Sequence, residues 1–407
     1  MMSVIGDTSK KSLGRYFTRE MISDLLISSL SVNNPCSVLD LGSGDGSLSR
    51  SAAKRWNSAI YHTVDILNQT RLSKSHEKVN NHKHYLLDAL EPTLFQEMGV
   101  IPEAFDLALC NPPFIRPKWK NKHLELLISS GYSEDIHAVT NVSAEVLFVI
   151  QNLISLKNGG QLGLIIPDGF VSGENNKDFR RFLLSKNSIN KVIKLPKNSF
   201  VGTNIQAHIL IITKGVISKN IILESFDPMH GIVDAITISK DDGIKCLDYS
   251  YHKDLNSGKG SYLTLEELGA EVIRGKSNSR QCKESKYPIL HLDKIIDNVE
   301  KINLFSCLKD NYLPSNEVVA NSGDILLARV GRNLSKKITL VTYGEMAISD
   351  CIYKIVVPIK WRTIVFEYLC SEAGRASLMA RTRGTGARYL TKSMLLSLPI
   401  RHVKLAK

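Results

Sequence analysis

Four short apolar runs in the first third of the chain each end on a polar residue, and this repetition limits what the chain can fold into. They are Ser37–Leu41, which enters Gly42-Ser-Gly-Asp-Gly46; Ala59–Asp65; His84–Asp88; and Asp106–Cys110, which enters Asn111-Pro112-Pro113-Phe114. Short apolar runs bounded by turn residues read as buried strands. Helical patterns alternate with them. Thr18 can cap a first helix, with Glu20 in its first turn and Ile22, Leu25, Leu26 and Leu30 at helical spacing. Further helices are predicted over Ser143–Leu156 and Asp178–Ser185, and further strands over Gln161–Ile166, Asn190–Leu195 and Gln206–Thr213. The alternation through residue 213 predicts an α/β sheet. Open sheets of this kind bind ligands beyond the carboxyl ends of their strands, where the polar residues here fall.

Those residues have chemical uses. Two prolines in a row donate no backbone hydrogen bonds and hold the chain extended. The Pro112 carbonyl and the Asn111 side-chain oxygen are then two acceptors on a stiff turn, suited to an NH2 group on a ring. Phe114 offers a face for that ring. A plain Pro-Pro turn with a buried Phe would give the same four letters. Gly42, Gly44 and Gly46 let the backbone turn tightly and let a ligand approach it, in a spacing that differs from the dinucleotide GxGxxG. Asp65 ends the next strand about 20 residues later, placed either to accept from ribose hydroxyls or to cap a strand end.

Residues 115–142 read as a long polar connection carrying Arg116, Lys118, Trp119, Lys120 and Lys122, beside the Pro-Pro turn and suited to a phosphate backbone. Pro167, Asp168, Glu174 and Lys177 imitate a metal-dependent nuclease signature, but the Glu-to-Lys spacing is one residue too long. The seven cysteines show no CxxC spacing. No metal is expected, and a reducing compartment is. From about 215 to 260 the pattern weakens into a connection with a strand or two at Ile221–Leu223 and Ala235–Ile238. From 261 short strands, Gly turns and late helices form a separate α+β texture, with a helix from about Val365 to Ala380. The formal charge is +12, and residues 321–407 alone hold 15 Lys and Arg against 5 Asp and Glu. A basic end on a balanced body suggests a polyanion partner; a solvated basic surface is the plainer alternative. No apolar stretch reaches membrane-spanning length, which points to a cytoplasmic protein without a membrane partner.

With these residues in place, 13–213 resemble the catalytic domain of the γ-class DNA adenine-N6 methyltransferases of type I and related restriction–modification systems. Gly14-Arg-Tyr-Phe-Thr18 is similar to the family's N-terminal cofactor motif, which implies that Phe17 and Thr18 touch S-adenosyl-L-methionine. Asp40, Gly42 and Gly44 match its methionine-side loop, Asp65 its ribose acid, and Asp88 the residue near the cofactor's adenine amine. Asn111, Pro112 and Phe114 match the catalytic motif, with Asn111 also bordering the cofactor; Tyr is commoner than Phe at the fourth position. Phe200 lies where the family often has a second aromatic against the target base. Residues 261–407 resemble one half of a type I specificity subunit. The resemblance implies a Rossmann-like S-adenosylmethionine-dependent methyltransferase domain over 1–215, a connection over 216–260 and an α+β DNA target-recognition domain over 261–407. The implied partners are double-stranded DNA and a restriction endonuclease or separate specificity subunit. An RNA or protein-glutamine methyltransferase and a catalytically silent specificity protein are the competing readings.

Overall fold

A computed structural model describes residues 18–67, 81–132, 142–197, 199–200, 205–256, 262–304, 317–384 and 387–401. Phe17 lies outside the described residues, as do 133–141 of the expected long connection. The chain divides into two units, Met1–Tyr249 and Ser250–Lys407.

The first unit is built on a nine-stranded sheet. Its strands are β1 (Ser37–Leu41), β2 (Ile60–Asp65), β3 (His82–Leu86), β4 (Phe105–Cys110), β5 (Leu156–Pro167), β6 (Ser188–Lys194), β7 (Ala207–Thr213), β8 (Asn220–Asp227) and β9 (Gly231–Ser239), in the order β3-β2-β1-β4-β5-β7-β6-β8-β9. Strands β3 to β5 run parallel across this order, whereas β7 lies antiparallel to both β5 and β6. Because β1 pairs with β2 on one side and β4 on the other, the connections leave β1 in opposite directions. A crevice opens at such a switch point, outside the carboxyl ends of the two central strands.

Strands buried on both faces read as nearly continuous apolar runs, and β4 shows why. Leu107 and Leu109 join one core cluster, Ala108 and Cys110 the other, as a two-residue repeat requires. Helices α1 (Glu20–Ser29) and α2 (Ser47–Arg55) cover the first face through Ile22, Leu26, Leu48 and Ala52. On the opposite face, helix α4 (Ala144–Ser155) is buried almost all round, and its Leu147, Phe148 and Ile150 pack there. At the amino end of the sheet Asp106 accepts from the Cys36 and Ser37 amides at 2.9 and 3.0 Å, pinning β1 beside β4.

Several expectations are corrected. Thr18 caps no helix: α1 starts at Glu20 with Arg19 as its cap residue and no side-chain cap, and the Thr18 hydroxyl bonds elsewhere. Within the expected polar connection, Asn121–Ser129 forms helix α3, because His123, Leu126 and Leu127 make a buried stripe. The segment read as a connection over 216–260 does hold the strands expected at Ile221–Leu223 and Ala235–Ile238, as β8, parallel to β6, and β9, and they extend the sheet. Its strand pattern is faint because β9 is an edge strand with mostly exposed or half-buried residues.

In the second unit a seven-stranded mixed sheet has Ile338–Ile348 at its centre, hydrogen-bonded to four other strands. The single helix expected over Val365–Ala380 is two, Ile359–Cys370 and Glu372–Arg381. They break at Ser371, whose side chain caps the second by accepting from the Gly374 amide at 3.0 Å. Part of the positive charge is internal. Arg381 and Arg383 are buried, and Arg381 and Arg401 converge on Asp254. Arg332, Lys336, Lys360 and Lys392 are exposed.

Candidate active site

One pocket gathers Thr18, Asp40, Gly42, Gly44, Asp65, Asp88, Asn111 and Pro112 at the carboxyl edge of β1, β2 and β4. These are eight of the ten expected site residues that lie within the described chain; Phe114 and Phe200 stand apart from the pocket. The glycine loop gives the pocket its floor. Gly42 and Gly44 have φ of 71° and 56°, where an L side chain is strained. A Cβ on Gly42 would also lie 3.3 Å from the Phe148 ring. The Gly42 and Ser43 amides donate to the Val64 carbonyl at 2.8 and 3.0 Å, tying the loop to β2. Asp65 completes the tie. Its Oδ2 accepts from the Gly44 amide and its Oδ1 from the Leu67 amide, each at 2.9 Å. The carboxylate is therefore a brace for the loop as well as an acid facing the pocket.

Asp40 has a different environment. It is 1% exposed, and neither carboxylate oxygen has a hydrogen-bond partner in ordinary geometry among the described residues. Burial pushes its carboxyl up to about 7, against the opposing influence of nearby Ser49. A buried ionised carboxylate is costly without a partner, so this position favours a ligand that brings a cation. The amino-acid end of S-adenosylmethionine, the cofactor the resemblance implies, carries an ammonium. The unpartnered Asp40 and the side-chain-free approach over Gly42 fit it.

A pH dependence follows. Below about pH 7 Asp40 holds a proton, and an ammonium ligand must displace it, so affinity should fall by up to about tenfold per pH unit. Above that pH the affinity should level off. For the fold alone, protonated Asp40 favours the native chain at low pH, and that contribution is lost as pH rises through the same value. Calorimetric titration of S-adenosylmethionine between pH 5.5 and 8 checks this. The slope should disappear in Asp40→Asn, and an unchanged slope there would assign the titration to another group.

Asn111 follows β4 directly. Its Nδ2 donates to Thr18 Oγ1 at 2.9 Å, so Oδ1 is the carboxamide atom able to accept from a ligand. The Pro113 carbonyl accepts from the Ile115 amide at 3.0 Å, whereas no described residue donates to the Pro112 carbonyl. The turn thus carries side by side the two groups expected to accept from a ring amine. Phe114 is half-buried and meets Phe200 edge-on, with ring centroids 6.2 Å apart. Phe200 itself is 1% exposed and packs with the core face that contains Ile22, Leu26 and Ile209. An isolated antiparallel bridge pairs its backbone with Thr18. Expected as a second stacking face, the Phe200 ring is buried beside Phe114 here, where the bridge and its apolar neighbours hold it inward.

Asp88 lies two residues beyond the end of β3. Its Oδ1 accepts from the Leu90 amide at 3.0 Å and its Oδ2 pairs with Lys122 at 2.6 Å. Lys122, from α3, also reaches Glu91 at 2.5 Å. Burial raises the Asp88 carboxyl, but Lys122 and the Leu90 amide outweigh it and hold it below its usual value. Asp88 is therefore ionised at neutral pH.

Sequence reasoning missed the apolar walls, Ile115, Pro117, Ala144 and Phe148. Phe148 left no signal because α4 is buried almost all round, its polar residues included, so no single stripe marks a pocket face. Elsewhere in this unit, Asp168, His208 and Asp248 place ligand-type atoms within 4.8 Å of one another. Lys194 already pairs with Asp248 at 2.7 Å, and His208 lies 3.3 Å from Asp168, so the cluster reads as a buried ion-pair network. Of the nuclease-like pattern, Glu174 is exposed and Lys177 half-buried, and the two pair with each other. They assemble no nuclease site with Asp168.

Comparison with known proteins agrees with this geometry. Residues 1–229 match the family described as N-6 DNA Methylase. The type II methyltransferase M.PstI of Providencia stuartii is 23% identical over 403 residues, covering 86% of this chain and 78% of that protein. The type II methyltransferase M.BsuBI of Bacillus subtilis is 30% identical over 202 residues, covering 44% of this chain and 39% of its own length. Among solved structures, the type IIG restriction endonuclease BpuSI matches with a TM-score of 0.50 and 12% identity, over 94% of this chain and 57% of that one. At that identity the likeness is one of fold.

Proposed function

The chain belongs to the N-6 DNA methylase family, and from that premise we propose that it transfers a methyl group from S-adenosylmethionine to N6 of an adenine in double-stranded DNA. The observation that carries the proposal is the meeting of Asn111 and Pro112 with Asp40 and the glycine loop in one pocket. When bound, S-adenosylmethionine supplies an activated methyl group on a sulfonium. Asp40 would hold the ammonium of the amino-acid end, Gly42 and Gly44 would let that end approach the backbone, and Asp65 would accept from ribose hydroxyls as well as bracing the loop. Asp88, kept ionised by Lys122, accepts from the adenine amine of the cofactor.

The target amine is a poor nucleophile because its lone pair is delocalised into the ring. Asn111 Oδ1 and the Pro112 carbonyl accept its two N–H bonds, which favours a pyramidal nitrogen and the positive charge that develops there. Positioning for in-line attack provides much of the remaining acceleration. A base inside a duplex cannot reach this turn, so it must be flipped out at a cost of a few kcal/mol. Phe114 provides the face on which it stacks, held by Phe200 behind it.

The second unit is the proposed target-recognition domain, and a restriction–modification system the proposed setting, with a nuclease or specificity subunit as partner and the cytoplasm as compartment. No helix among the described residues is long and apolar enough to cross a membrane. Within the basic segment 321–407, Arg332, Lys336, Lys360 and Lys392 are the exposed cations among the described residues, available for phosphates. If several release counterions on binding, affinity for duplex DNA should weaken by about 10²-fold or more between roughly 50 and 200 mM salt. Fluorescence anisotropy across that range measures it. A flat salt response would remove these residues from the interface. The activity itself is tested with labelled cofactor offered to duplex DNA, RNA and protein. Label recovered as N6-methyladenine in DNA supports the reading, and label in RNA or a glutamine side chain replaces it.

A further inference from the structure

The two ends of a carboxamide are chemical opposites. If Asn111 turned its Nδ2 toward the target amine, a donor would face two donors and the turn would repel its substrate. Something must therefore fix which end points inward. Its Nδ2 donates to Thr18 Oγ1 at 2.9 Å, across 93 positions of sequence. A hydroxyl alone does not decide the matter, since it can accept from Nδ2 or donate to Oδ1. The destination of its own proton decides it.

We propose that Thr18 is a positioning residue that links cofactor loading to the orientation of Asn111. Thr18 lines the same pocket as Asp40 and Gly42, so its hydroxyl proton can go to an acceptor on the amino-acid end of the bound cofactor. That leaves Oγ1 to accept from Nδ2, and Oδ1 faces the target amine. The Thr18 backbone is held for this task by its bridge to Phe200, whose ring supports Phe114. One residue thereby secures both the acceptor and the stacking ring of the active turn. The inference rests on the reading of Asn111 as the amine acceptor.

Thr18→Val keeps the shape and removes the hydroxyl, whereas Thr18→Ser keeps the hydroxyl. At saturating cofactor, kcat of Thr18→Val should fall by at least about tenfold, the loss expected when one oriented hydrogen bond is removed. Thr18→Ser should restore most of it. A second readout needs no turnover: cofactor dissociation constants for wild type, Thr18→Val, Asn111→Ala and the double variant, measured by calorimetry. Coupling between the two sites predicts a non-additive cycle, with a departure of about threefold or more. Wild-type kcat in Thr18→Val, or an additive cycle, overturns the inference. If the wild type methylates no DNA, the functional reading fails, and the binding cycle still decides whether Thr18 and Asn111 are coupled.

Discussion

Asn111→Ala is expected to lower the rate of methyl transfer by at least about 10²-fold, the scale seen when a single preorganised transition-state contact is removed. Cofactor affinity should stay within about an order of magnitude, because the variant leaves Asp40, Asp65 and the glycine loop untouched. The asymmetry arises from position. Asn111 leaves β4 at the switch point and turns its carboxamide toward Thr18 and the pocket, while the loop opposite is fixed by bonds that its amides donate to the Val64 carbonyl and the Asp65 carboxylate. Single-turnover rates and calorimetric dissociation constants on the same preparation measure both. Equal losses of rate and affinity would contradict this division of labour and make Asn111 chiefly a cofactor residue.

Asp65→Ala should show the opposite partition. Its carboxylate is 2% exposed and accepts from the amides of Gly44 and Leu67. Removing it strands two donors in a partly buried turn, each at a cost of about 1–3 kcal/mol. Part of that cost falls on the fold and part on the loop shape that receives the cofactor. A rise of about 10- to 100-fold in the cofactor dissociation constant is expected, with a lowered melting temperature. Asp65→Asn keeps one acceptor oxygen and should lie between. Unaltered affinity in Asp65→Ala would show that the loop holds its shape without the brace.

What could be read from the sequence was local. The strands that carry Asp40, Asp65 and Asn111 announce themselves by short apolar runs with polar ends, because burial on both faces leaves the sheet no other composition. Gly42 and Gly44 are legible for a similar reason, since positive φ demands that residue type. What escaped depends on distant pairing. Thr18 looked like a helix cap because its neighbours fit a capping pattern, yet its hydroxyl meets a side chain 93 positions away. The burial of Phe200 is set by the bridge to Thr18 and by packing against α1, neither of which leaves a mark near Phe200. Strands β8 and β9 were legible only in their middles, Ile221–Leu223 and Ala235–Ile238, because much of β8 and most of the edge strand β9 are exposed or half-buried, so the periodicity fades before the strands end. Phe148 is hidden in a helix whose every face is buried.

The central claim is that Asn111 and its turn methylate adenine N6 in duplex DNA. Strand-resolved sequencing of modified bases, in DNA from cells expressing either the wild type or Asn111→Ala, tests it most directly. The account predicts N6-methyladenine at one recurring sequence with the wild type and none there with the variant. Methylation that persists in Asn111→Ala, or a wild type that leaves every adenine unmodified, would contradict it.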